Sequence, residues 1–263
     1  MNRIEQKFRK LKKEGQKALI AFITCGDPNL TTTARLAQEL DRLGVDILEL
    51  GVPFSDPLAD GPTIQAASQR ALKNKVNLKS VLRLVKQLRQ KTALPIVLLT
   101  YFNVVFHFGL EAFVQQAKRA GVDGVVIPDL PVEEAGQLSQ ISRREKFANI
   151  FLLAPTSDLK RIKKICASST GFIYYVSLTG TTGARQALPK ELINQVRRVK
   201  RNTAKPVCVG FGVSSVQQAK DIARVADGVI VGSAFIKIIA KNLGSKELVP
   251  RIVSFAKRLR SAI

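Results

Sequence analysis

Residues 18–29 read ALIAFITCGDPN: seven residues suited to a strand, then a turn built on Gly26, Asp27 and Pro28. A strand that is apolar on both faces belongs in a parallel sheet covered by helices. The turn then separates two architectures. A doubly wound sheet that binds a dinucleotide carries G-x-G-x-x-G directly after its first strand, and FITCGDPN has no such pattern. A closed barrel is therefore expected, provided the alternation of strands and helices continues along the chain.

It does. DILELG (46–51), PIVLLTY (95–101), GVVIPD (124–129), NIFLLA (149–154), FIYYVS (172–177), PVCVGF (206–211) and GVIVGS (228–233) are further short apolar runs. Between them lie amphipathic segments such as TTARLAQELDRLG, LKSVLRLVKQLRQK, GLEAFVQQAKRAG and VQQAKDIARVAD, with apolar residues at three-to-four spacing. Eight such units in about 250 residues fit a (β/α)8 TIM barrel, an α/β fold. IEQKFRKLKK reads as an extra N-terminal helix placed to close the barrel floor. No low-complexity linker divides the chain, so residues 1–263 are expected to form a single domain.

The chain has 42 Lys and Arg against 20 Asp and Glu, a formal net charge of +22. Solvated helix faces such as VLRLVKQLRQK and LINQVRRVKRN account for many of these cations. A basic surface also attracts phosphate. The charges are dispersed, few aromatics interleave with them and no zinc-finger or RNA-recognition signature is present, so no nucleic-acid partner is expected. A general pull on anionic substrates is the better reading. No apolar run approaches the ~20 residues that cross a bilayer. The basic start, MNRIEQKFRKLKKEGQK, is not followed by the apolar core and small-residue cleavage site of a secretory signal, so no membrane association or export is expected. Cys25, Cys166 and Cys208 are odd in number, far apart and set among apolar or small residues. That usage points to a reducing compartment, the cytoplasm or a plastid stroma. No two of them have metal-ligand spacing, and the single histidine, His107 in VVFHFG, reads as a surface or loop residue. No metal site is expected.

LELGVPFSDPLADG (48–61) holds three carboxylates, Glu49, Asp56 and Asp60, in a chain poor in acids. Side chains of a barrel strand alternate between lumen and helix layer. If Leu48 and Leu50 face the helices, Glu49 enters the lumen near the C-terminal end of its strand, where barrel enzymes carry their chemistry. Burial there favours the neutral carboxyl and suits it to general acid/base work. The alternative is a buried Glu satisfied by an Arg or by backbone amides. Asp60, in the loop that follows, has two readings on spacing alone: a partner of Glu49 across a pocket, or a cap for the helix beginning near PTIQAASQRAL.

GTTG (180–183), VGFGVSS (209–215) and VGSAF (231–235) place glycines after the sixth to eighth strands. Backbone amides can close on an anion there, and helix N-termini add their dipoles. A phosphorylated substrate is expected. One histidine cannot build a His-rich metal site, and no strand carries an interior Lys for a Schiff base. Proton transfer by carboxylates is what remains.

LELGVPFSDPLADG closely resembles the signature segment of the tryptophan synthase alpha chain family. ALIAFITCGDPN, TYFNVVFHFG, DGVVIPDLPVEEA, GFIYYVSLTGTTGAR, VGFGVSS and GVIVGSAFIKII follow the family's order, so the resemblance covers nearly the whole chain. It implies cleavage of indole-3-glycerol phosphate to indole and glyceraldehyde 3-phosphate. It implies Glu49 as general acid/base and Asp60 as the carboxylate that holds the indole N–H. Tyr174 matches a tyrosine near the acid, and Tyr101 and Phe22 match pocket walls. Thr182 and Gly183 match a substrate-covering loop, and Gly183, Phe211, Gly212, Gly232 and Ser233 match the phosphate cradle. No cofactor is implied for this chain. The implied partner is a tryptophan synthase beta subunit that carries pyridoxal phosphate, in an α2β2 heterotetramer, with Asp56 on the loop facing it. A stand-alone lyase releasing free indole keeps the same residues. A non-catalytic activator of a beta subunit would not need both carboxylates. Cys25 stands where members often have Ala, Val104 where many have Pro, and the charge is high for the family.

Overall fold

The computed structural model describes residues 1–176, 190–210 and 212–263. Among them the strands are β1 (Ala18–Thr24), β2 (Ile47–Gly51), β3 (Ile96–Leu99), β4 (Gly124–Val126), β5 (Ala148–Ile150), β6 (Leu152–Leu153), β7 (Ile173–Val176), β8 (Val207–Gly210) and β9 (Gly228–Val231). All pair in parallel, in the order β5-β4-β3-β2-β1-β9-β8-β7-β6. Only Phe151 separates β5 from β6. Its N–H turns to the Ser169 hydroxyl at 3.2 Å, while its carbonyl accepts the Tyr174 N–H at 3.2 Å. The two segments are thus halves of one stave, and the sheet closes into the expected eight-stave barrel.

The helices are α1 (Arg3–Lys13), α2 (Leu30–Arg42), α3 (Pro62–Lys73), α4 (Leu78–Leu88), α5 (Phe102–Phe108), α6 (Leu110–Ala120), α7 (Gly136–Arg144), α8 (Leu159–Ser168), α9 (Lys190–Lys200), α10 (Val216–Ala223), α11 (Ser233–Lys241) and α12 (Leu248–Ala262). The crossovers after β2 and β3 each carry two helices, and two more, α11 and α12, follow β9. The short α5 has no polar stripe to announce it. His107 lies on it, exposed.

Strand periodicity sorts the core into two layers. Ile20, Ile47, Val97, Val126, Ile150 and Ile230 form one cluster with Ile4, Phe8 and Leu11 of α1. Leu19, Leu48, Leu50, Ile96, Leu98 and Val229 belong to the other, against the outer helices. The first cluster is the lumen, and α1 plugs its floor as expected. An Asn2–Glu5 capping box starts α1, and Phe8 rests on Phe172 with ring centroids 5.8 Å apart. Salt bridges hold the plug at its rim: Arg3 to Asp123 at 2.9 Å and Lys7 to Asp46 at 3.5 Å. Asp46, Asp123 and Asp227 each precede a strand and accept the N–H of Leu19, Ile96 or Val207 on its neighbour. Some of the excess cation therefore serves the floor, remote from the strand ends where chemistry is expected. No helix among the described residues is long and apolar enough to cross a membrane.

Candidate active site

Glu49 is the third residue of β2, in register between Phe22 on β1 and Val97 on β3. Its neighbours Leu48 and Leu50 pack outward and Ile47 packs inward, so Glu49 enters the lumen as its position in LELG implies. It is 2% exposed, and among the described residues neither carboxylate oxygen has a hydrogen-bond partner. Among the described residues no Arg and no amide satisfies it, which counts against the reading of a buried Glu held by such a partner. Burial, with the charge of Asp60 adding to it, pushes the Glu49 carboxyl up to about 8.

Asp60 ends the loop between β2 and α3. Its N–H donates to the Pro57 carbonyl at 2.9 Å, and the Gln65 side chain donates to its carbonyl at 2.9 Å. The cap of α3 is Gly61, with no side-chain cap bond, so Asp60 is not the helix cap that its spacing allowed. Burial pushes its carboxyl up to about 6, and hydrogen bonding from Tyr101 draws it back. The Tyr101 hydroxyl also accepts the Ala59 N–H at 3.1 Å, and its ring stacks on Phe54 at 5.3 Å. One tyrosine thus holds the loop and lowers the carboxyl at its end. Tyr174, on β7, is raised well above its ordinary range by burial and then by the Glu49 charge, which keeps it a neutral hydroxyl beside the acid.

Phe22 leans across the end of β1 onto two glycines. A Cβ at Gly51 would lie 2.8 Å from its ring, and one at Gly232 would lie 3.1 Å from it. Gly232 precedes α11 and offers no side-chain cap, so the first-turn N–H groups from Ser233 onward are left for another acceptor. At α10, by contrast, the Ser215 hydroxyl caps Gln218. Gly212, with φ +77°, makes the left-handed turn ahead of it. Thr182, Gly183 and Phe211 lie outside the described residues.

A family model described as tryptophan synthase alpha chain matches residues 8–263. The chain belongs to the tryptophan synthase alpha chain family. It is 49% identical over all 263 residues to the tryptophan synthase alpha chain of Geotalea daltonii, covering 99% of that protein. It is 46% identical, full length on both sides, to that of Caldanaerobacter subterraneus. The crystal structure of tryptophan synthase subunit alpha from Legionella pneumophila superposes with a TM-score of 0.93, at 38% identity, covering 100% of this chain and 98% of that one. A chain from the tryptophan synthase a2b2 complex of Pyrococcus furiosus superposes at 0.88, with 41% identity, covering 93% of this chain and 98% of that one. As a tryptophan synthase alpha chain it is a lyase that cleaves indole-3-glycerol phosphate, in tryptophan biosynthesis.

The barrel brings Glu49, Asp60, Tyr101, Tyr174, Phe22 and Gly232 to its C-terminal end. Asp56 stays on the exposed rim, where its carboxylate takes the Ser55 hydroxyl rather than its own turn amides. Sequence reading missed Thr24 and Thr100, buried hydroxyls at the ends of β1 and β3 with no partner among the described residues. Their place at a strand's C-terminal end was the available signal. Among the described residues, no group of three or more His, Cys, Asp or Glu is arranged to hold a metal ion.

Gly232→Val should raise KM by about tenfold or more, the equivalent of ~1.4 kcal/mol of lost binding. The new Cβ would press on Phe22 and obstruct the approach to the α11 amides. Steady-state kinetics with glycerol phosphate as competitor checks this. An unchanged KM and an unchanged inhibition constant would remove Gly232 from the substrate's surroundings.

Proposed function

We propose that Glu49 is the general acid and base of the cleavage and that Asp60 holds the indole N–H. One observation carries this reading: a buried and a half-buried carboxyl at one end of a barrel, raised to about 8 and about 6. Near neutral pH the first is protonated and the second ionised, the division of labour an acid and an electrostatic partner require. Glu49 gives its proton to C3 of the indole ring. Asp60 offsets the positive charge that then spreads to the ring nitrogen. The glycerol hydroxyl next to the bond returns a proton to the Glu49 carboxylate. The carbon–carbon bond breaks, its electrons neutralise the ring, and indole and the aldehyde leave with Glu49 protonated again. The ring accepts the electrons, so the scheme needs no cofactor in this chain. Phe22, Tyr101 and Tyr174 wall the indole pocket. The α11 amides, with Gly212, Gly232 and Ser233, receive the phosphate, and Thr182, Gly183 and Phe211 complete the cradle and cover. Residues 1–263 act as one catalytic barrel domain in a reducing compartment, the cytoplasm or a plastid stroma.

The test is indole release against pH. kcat/KM should rise as Asp60 ionises near pH 6 and fall as Glu49 loses its proton near pH 8. A flat profile from pH 6 to pH 9 would contradict both assignments.

The reading includes a tryptophan synthase beta subunit as partner, carrying pyridoxal phosphate, in an α2β2 heterotetramer. Two features support a docking rim here. Leu58, in the β2–α3 loop beside Asp56, is 91% exposed, and Phe106, on α5 at the same end of the barrel, is 66% exposed. Apolar residues so open at a rim suit a protein interface. Asp56 pairs there with a basic group of the beta subunit and steadies the loop that carries Asp60. Asp56→Ala should leave the basal turnover of the isolated chain unchanged and weaken its activation by the beta subunit. Titration with that subunit decides: equal affinity and equal activation would confine Asp56 to its bond with Ser55.

A further inference from the structure

Arg70 and Asp27 are 43 residues apart in sequence and form a two-pronged ion pair, Nε to Oδ1 at 2.7 Å and Nη2 to Oδ2 at 2.8 Å. The Asp27 side chain is 0% exposed and that of Arg70 24%. A two-pronged pair on a fully buried carboxylate holds its two segments in a single geometry. One segment is the turn after β1, the strand that carries Phe22 and Thr24. The other is α3, which begins at Pro62, immediately beyond the Asp60 loop. Gln65 of α3 bonds the Asp60 carbonyl, and Asn74, at the far end of α3, donates to the carbonyl of Pro28 in the same turn. The helix is therefore bolted to β1 along one side and to Asp60 at its start. Ser55, Asp56, Leu58 and Ala59 of the loop itself are exposed, so apart from the hold of Tyr101 on Phe54 and Ala59 it is α3 that sets the height of Asp60.

We propose that the Arg70–Asp27 pair is a positioning device for Asp60: it sets the seat of α3 on the turn after β1, and through α3 the placement of the Asp60 carboxylate over the indole pocket. The proposal rests on the reading of Asp60 as the group that holds the indole N–H. Arg70 and Asp27 touch no reacting atom and act only through α3. The fork matters as well as the charge, because a Lys at position 70 offers a point charge that fixes distance but not orientation.

Four variants test this in the isolated chain, with kcat per folded molecule, KM, glycerol phosphate affinity and melting temperature measured for each. Arg70→Met leaves Asp27 buried and unpaired and should lower both melting temperature and kcat. Asp27→Asn/Arg70→Met removes both charges and so relieves the stability defect. Its kcat should nonetheless fall about 10- to 100-fold, as expected for a misplacement of about 1 Å. Glycerol phosphate affinity should stay within about threefold, since the phosphate end of the pocket is held by α11. Arg70→Lys should fold and recover kcat only in part. Wild-type kcat in the double variant, or a loss of glycerol phosphate affinity as large as the loss of kcat, overturns the proposal. Asp60→Asn is the fourth variant. If it keeps wild-type turnover, the reading of Asp60 falls; if it is crippled while the double variant is not, only the positioning role falls.

Discussion

Glu49→Gln is expected to lower turnover by about 10²- to 10⁴-fold, the range lost when a positioned general acid is removed. The amide has the shape of the carboxyl and fills the same place in the lumen, so the pocket walls stay where they are. What disappears is the only proton that the pocket's acid can give to the ring. Glycerol phosphate should still bind, because the α11 amides are untouched. The same variant should be more stable than the parent above pH 8. A carboxyl raised from 4.5 to about 8 binds more protons folded than unfolded across that interval, so the parent loses stability as pH rises through it. Glutamine has no proton to lose. The difference should be small below about pH 4.5 and grow to a few kcal/mol by pH 8, because each pH step of one across that interval costs the parent ~1.4 kcal/mol. Melting curves at pH 5 and pH 8.5, read beside turnover, check both limbs. Wild-type-like turnover would end the assignment of Glu49, and a stability difference independent of pH would show that folding does not raise its carboxyl.

The second large effect is Asp60→Asn, expected to reduce turnover by about 10²- to 10³-fold, the loss associated with one group that stabilises developing charge. An amide can still accept the indole N–H through its oxygen but cannot offset the cation formed when the ring is protonated. Binding of substrate should therefore suffer less than kcat. Since Gly61 and not Asp60 caps α3, the helix should not lose its start, and the melting temperature should not drop. A lowered melting temperature with intact turnover would return Asp60 to the role of a helix cap.

Much of this site was legible in the chain because strand geometry is local. A period of two sends Leu48 and Leu50 to one side and Glu49 to the other, and no distant residue has to be known to say so. The same logic made α1 a floor plug, since Ile4, Phe8 and Leu11 fall on one helical face. The missing G-x-G-x-x-G after β1 likewise weighed against a dinucleotide-binding open sheet, and the count of eight units favoured the barrel. Family resemblance supplied the roles, which periodicity could not.

Other features depend on residues meeting across the fold. Spacing left Asp60 tied between cap and pocket, and the tie was broken by the direction the loop takes under the Tyr101 hydroxyl. Gly232 looked like a concession to phosphate, yet the first object its Cβ would meet is Phe22, more than 200 residues earlier in the chain. Phe151 reads as strand in NIFLLA, but the Ser169 hydroxyl takes its N–H and splits the stave. Nothing near Arg70 in the sequence announces Asp27 as its partner. Facing is a property of the backbone repeat and can be read from a few adjacent residues. Contact between distant segments is a property of the closed barrel, and it exists only once all eight staves are in place.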